Sequence, residues 1–214
     1  MTRTNDIIDS LVADLRPVPR HALARRFAVG IAVGLAISFL LQISLFGYRH
    51  DMPQVFMVPA FWAKSVYNAA LALTAFAALY ALAHPDGSAN RSFLAAALIF
   101  AAMALLAMMQ LSMMPAETHH ALIMGFSSLY CPFFILGFGL PVFAANIWIL
   151  RRAAPTNLRL CGFAAGLAAG AAGAWVYSWF CRENGMAFVA IWYTLSILGV
   201  GAIGALLGPK LLRW

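Results

Sequence analysis

The chain has 214 residues, 64% of them hydrophobic and 10% charged, with a formal net charge of +7 at pH 7. So apolar and so sparsely charged a composition excludes an ordinary soluble domain and points to an integral membrane protein. The basic excess does not point to nucleic acid, because the arginines stand mostly at the ends of apolar runs, where they set topology, and no direct nucleic-acid contact is expected.

Residues 4–20, TNDIIDSLVADLRPVPR, come first and are the part a soluble partner can reach. Ile7, Ile8, Leu11, Val12 and Leu15 recur at i, i+1, i+4, i+5 and i+8, which stacks them on one face of a short helix, with Asp6, Asp9 and Asp14 turned away. Thr4 or Asn5 is the expected cap. Asp6 and Asp9 then lie in the first turn and Arg16 near the end, as the helix dipole favours, and Pro17 and Pro19 stop the helix. An apolar stripe this short is not stable alone in water. It must lie on a partner protein, on the membrane surface or on the chain's own bundle.

Residues 27–46 form an uncharged run of about 20 residues, enough at 1.5 Å per residue to cross a ~30 Å hydrocarbon core. The polar, charged stretch before it and the lack of a small-x-small site after it mark a retained span rather than a cleaved signal. Residues 47–60 carry Pro53 and Pro59 and read as a loop with an amphipathic middle. The second span covers 61–83, with Trp62 and Tyr80 as interfacial anchors and Lys64 expected to snorkel outward from its first turn. A turn, HPDGSANRS, leads to the third span at 93–113. The fourth, 124–150, is expected to kink at Pro132 and Pro141. The fifth and sixth are 160–180 and 187–208, joined by CRENGM.

Eleven Lys and Arg fall in the tail, the even-numbered loops and the C-terminus, against Arg49, Lys64 and Arg182 on the other side. Both termini are therefore expected in the cytoplasm. The reading is an all-α integral membrane protein: a cytoplasmic segment, 1–26, followed by a six-helix transmembrane domain, 27–214, surrounded by membrane lipid. Gly162, Gly166 and Gly170, with Gly204 and Gly208, make small-xxx-small faces suited to close packing inside the bundle or to a homo-oligomer. Gln42, Asn68, Gln110 and Asn146 suit interhelical hydrogen bonding.

The spans hold almost no ionisable groups, which weighs against a small multi-pass transporter or channel. No P-loop, GxGxxG, HExxH, GxSxG or CxxC occurs, so no enzyme and no cofactor is expected. Cys161 and Cys181 stand 20 residues apart on one helix, about 30 Å, and cannot pair. Cys131 and Cys181 share the outer side and meet if the fourth and fifth spans are neighbours, as buried apolar residues, as a disulfide or as a soft-metal site. Glu117, His119 and His120 are also on that side. They are candidate transition-metal ligands, although adjacent loop histidines are commonly just solvated.

The N-terminal DIIDSLVADLRPVPR, GYRHDM followed by PAFWAKS, the CPFF of the fourth span and above all FCRENGMAFVAIWYTLSILGVGAIGALLGPKLLRW carry a resemblance. The whole chain resembles the NrsF family of six-helix inner-membrane anti-sigma factors, negative regulators of an extracytoplasmic-function sigma factor of the sigma-F type in Gram-negative bacteria. The resemblance implies a protein that holds a sigma factor at the inner membrane until a stress signal reaches the periplasmic side. Cys131 and Cys181 fall where the family carries its paired cysteines, which makes them the expected redox- or metal-sensing residues; Cys161 falls outside that pattern. Ile7, Ile8, Leu11, Val12 and Leu15 are then the expected partner-binding face. A transporter and a membrane enzyme using the outer histidines are the competing classes.

Overall fold

The computed structural model describes residues 2–13, 19, 21–47, 49 and 51–213, and these form helices and connecting turns with no strand among them. The helices are α1 (Thr2–Ala13), α2 (Ala22–Phe46), α3 (Met52–Val55), α4 (Pro59–Leu82), α5 (Asn90–Met113), α6 (Ala116–Met124), α7 (Cys131–Leu150), α8 (Leu158–Ser178) and α9 (Met186–Leu211). Six of them, α2, α4, α5, α7, α8 and α9, are long and apolar enough to cross a membrane. A π-helical stretch, Val189–Tyr193, interrupts α9 near its start.

Helix α8 is the centre of the bundle and packs against α9, α4 and α7. Its composition explains this. The alanines and glycines of LRLCGFAAGLAAGAAGAWVYS let neighbouring backbones approach closely, and a Cβ placed on Gly162 would lie 2.8 Å from the Cα of Gly208, while one on Gly166 would lie 2.8 Å from the Cα of Gly201. The glycine face is thus consumed inside the bundle. Polar side chains add specific ties: Ser38 Oγ on α2 donates to the Phe138 carbonyl of α7 at 2.7 Å, and Asn146 Nδ2 on α7 donates to the Ala165 carbonyl of α8 at 3.2 Å. Tyr67 on α4 and Thr194 on α9 share a hydroxyl bond at 2.6 Å. Helix α5 stands at the edge, burying only Met103 and Ala107.

Several expectations need correction. Lys64 does not snorkel outward: it is 1% exposed and turned into the bundle. The fourth long helix begins at Cys131, not at 124, because Gly125 takes a left-handed φ of 54° and ends α6. Pro132 therefore occupies the first turn of α7, where its missing N–H costs nothing, and causes no kink there. Helix α1 starts at Thr2, so neither Thr4 nor Asn5 caps it, and Asp6 and Asp9 lie beyond its first turn. Asn68 donates within its own helix, to the Lys64 carbonyl, instead of across to a neighbour.

Candidate functional site

Cys131 opens α7 and Cys181 directly follows the turn that ends α8, and since those two helices pack together both thiols enter one core cluster with Tyr177, Phe188 and Tyr193. They are free thiols, 0% and 3% exposed. Tyr177 and Tyr193 have ring centroids 6.0 Å apart, and Phe188 meets Tyr193 edge-on at 6.3 Å. The Tyr193 hydroxyl, at the end of the π-helical stretch, is fully buried beside the Cys181 thiol. Cys161 belongs to a different cluster, where its sulfur lies 3.9 Å from the Leu82 carbonyl oxygen.

The turn between α8 and α9 carries Cys181, and four other parts of the chain grip it. Lys64 of α4 donates through Nζ to the carbonyls of Cys181 at 2.7 Å and Glu183 at 3.0 Å. Arg49 Nη1, from the loop before α3, reaches the same Cys181 carbonyl at 3.3 Å while its Nε and Nη2 pair with Asp51 at 2.7 and 3.0 Å. That guanidinium holds the half-buried Asp51 carboxyl below the usual carboxylate range. Gln110 of α5 accepts from the backbone N–H of Met186 at 2.7 Å and donates to the Asn184 carbonyl at 3.4 Å, which supplies one of the partners the start of α9 needs.

The Glu183 carboxylate completes the arrangement by accepting from the backbone N–H of Phe126 at 2.7 Å and from Ser127 Oγ at 3.3 Å. It thereby joins the Cys181 turn to the segment leading into Cys131. A Cβ on Gly125 would come 2.7 Å from this carboxylate, so glycine serves both the left-handed turn and the close approach. A cavity of about 480 Å³, lined in part by Phe126, Tyr177, Cys181 and Glu183, opens beside the thiol.

Sequence reasoning missed Lys64, Arg49, Gln110 and Glu183 as members of this site. A signal was present. Lys64, Arg49 and Arg182 are the only cations on the cation-poor side, and Glu183 lies in the short CRENGM turn. The histidine candidates behave differently from the metal reading. His119 Nε2 lies 2.8 Å from the Leu111 carbonyl and 3.1 Å from that of Met114, closing the end of α5, while Glu117 and His120 face outward. No group of three or more His, Cys, Asp or Glu suited to a metal ion occurs among the described residues.

At the other end of the chain, α1 makes no substantial packing contact with the long helices among the described residues. Ile7, Ile8 and Val12 are 58%, 51% and 59% exposed. The chain's own bundle therefore does not cover these three side chains. The Leu11 side chain and all of Leu15 lie outside the described residues.

Residues 11–214 match the family NrsF, described as negative regulator of sigma F. The anti-sigma-F factor NrsF of Caulobacter vibrioides is 37% identical over 213 residues, covering 99% of this chain and 100% of that protein. A probable anti-sigma-F factor NrsF of Azospira oryzae is 36% identical over 214 residues, again covering 99% of this chain and 100% of the relative. No solved structure matches. A match along nearly the whole chain, with two full-length relatives, means that this protein belongs to the NrsF family, a class of regulators rather than enzymes.

Proposed function

We propose that this protein is an inner-membrane anti-sigma factor that holds an extracytoplasmic-function sigma factor of the sigma-F type through α1 and releases it when a stress signal acts on the periplasmic side at Cys131 and Cys181. The family match over residues 11–214 carries the reading. The six apolar helices support insertion in the membrane, and the count of eleven Lys and Arg against three supports cytoplasmic termini.

The uncovered stripe of Ile7, Ile8 and Val12 supports a helix-in-groove contact, in which an amphipathic helix lays its apolar face on the sigma factor and masks surface that RNA polymerase needs. Leu11 and Leu15 belong to the same proposed face by their spacing. On the opposite side, joining the thiols by oxidation or bridging them with a soft metal fixes the start of α7 relative to the end of α8. Every grip on the Cys181 turn comes from a different element, so a shift there changes the packing of α4, α5 and α7 together. Release then requires that the two thiol states favour different bundle packings.

Co-purification tests the reading. A sigma factor retained with the detergent-solubilised wild-type chain is the expected result, and its absence at matched expression would remove the anti-sigma function from this chain.

A further inference from the structure

Away from the thiols, at the end of the bundle where the C-terminus lies, three cations converge on one groove. Arg159 stands in the first turn of α8, Lys210 in the last turn of α9 and Arg213 just beyond it, around a groove of about 700 Å³ floored by Phe163, Ala202 and Leu206. Arg151 Nε, from the end of α7, donates to the Leu211 carbonyl at 2.8 Å and fixes the segment that carries Lys210 and Arg213. Among the described residues none of the three cations is within salt-bridge reach of an acid. Phe163 also lines a second cavity, of about 440 Å³, which lies among α4, α5 and the α8–α9 pair and is walled by Leu71, Ala97, Leu167, Ile197 and Leu198. The charged groove and the apolar cleft therefore meet at one side chain.

We propose that these two adjoining cavities bind one anionic phospholipid, its phosphate at Arg159, Lys210 and Arg213 and an acyl chain running past Phe163 into the cleft. The proposal rests on the membrane insertion argued above. Basic pockets between membrane helices attract anionic headgroups, and the charge of this groove meets no acid among the described residues. An acidic peptide would satisfy the cations but leave the cleft empty. A cleft walled by alanine, leucine and isoleucine beside the loosely packed α5 suits a hydrocarbon chain.

The test uses the full chain purified from the membrane fraction, equilibrated with mixed micelles of phosphatidylglycerol and phosphatidylcholine bearing the same acyl chains, with bound lipid counted by native mass spectrometry. Wild type should favour phosphatidylglycerol by roughly a hundredfold, given the attraction that three interfacial cations contribute together. Arg159→Gln/Lys210→Gln/Arg213→Gln should bring the preference close to unity. Ala97→Trp, which fills the cleft without touching charge, should reduce binding of both lipids while leaving the ratio in place. Equal binding of the two lipids by wild type, an undiminished preference in the triple variant, or unchanged binding in Ala97→Trp would each overturn the proposal. So would displacement by free glycerol phosphate as effective as by the lipid, which would reduce the site to a simple anion site. A wild-type chain recovered outside the membrane fraction would overturn the membrane reading and this proposal together. A membrane-embedded chain without lipid preference would overturn this proposal alone.

Discussion

Replacing Lys64 with methionine isolates the grip on the Cys181 turn from everything else in the bundle. The ammonium is 1% exposed and donates to two carbonyls, at 2.7 and 3.0 Å. A hydrogen bond to a charged group contributes about 1.5–3 kcal/mol, so two of them contribute roughly 3–6 kcal/mol. Two terms reduce this. Arg49 still reaches the Cys181 carbonyl at 3.3 Å, and methionine removes the cost of keeping an ammonium out of water, which is several kcal/mol. For global stability the gain and loss nearly cancel. Opening of the turn alone is different, because in wild type that motion must break both bonds and strand the cation in the protein. We expect Lys64→Met to make local opening easier by about 2–3 kcal/mol, or roughly 30- to 150-fold in the opening equilibrium. Maleimide labelling of Cys181 in the detergent-solubilised protein reads this directly, since labelling follows the open population when reclosing is fast. Cys161, in a separate cluster, is the internal control and should label as in wild type. Unchanged labelling of Cys181 would refute the role given to Lys64. Equal acceleration at Cys181 and Cys161 would mean that Lys64 holds the whole bundle and not this turn.

Reporter fusions should find both termini on the cytoplasmic side; an alkaline phosphatase active when fused after Trp214, or a cytoplasmic reporter active in the CRENGM turn, would reverse the orientation. Cys131→Ser and Cys181→Ser should each alter induction of a sigma-dependent promoter under thiol-reactive stress, the double variant should resemble the singles because both act through one unit, and Cys161→Ser should respond as wild type. A normal response in both single variants would return Cys131 and Cys181 to a packing role.

The six long helices were legible because an apolar run of about 20 residues has few alternatives to a membrane-length helix. The glycine faces of α8 and α9 were legible for a similar reason: small residues one turn apart make a flat strip whatever it packs against. What the strip packs against was not legible, and the structure uses it within the chain. Lys64 was misread because a lysine in the first turn of a span ordinarily reaches outward, and its actual acceptors lie 117 and 119 residues away in a turn with no pattern of its own. The fourth span looks longer in the sequence than it is because its apolar character begins before Cys131, whereas the helix boundary is set by backbone conformation, left-handed at Gly125. The separation of Cys161 from Cys181 followed from helix rise alone. The aromatic surroundings of Cys131 and Cys181 depend on which helices touch, and a single sequence does not reveal that.

The most direct measurement is where the sigma factor resides in cells that express either the wild-type chain or Ile8→Asp/Val12→Asp at equal membrane levels. Ile8 and Val12 are 51% and 59% exposed, so charges there are tolerated by the free chain but must be desolvated in an apolar groove, at a cost of several kcal/mol in binding. With wild type the sigma factor should sediment with the membranes, and with the variant it should move to the soluble fraction while its promoters switch on. A sigma factor that is soluble beside the wild-type chain, or that stays on the membrane and silent beside the variant, would contradict the claim that α1 holds it there.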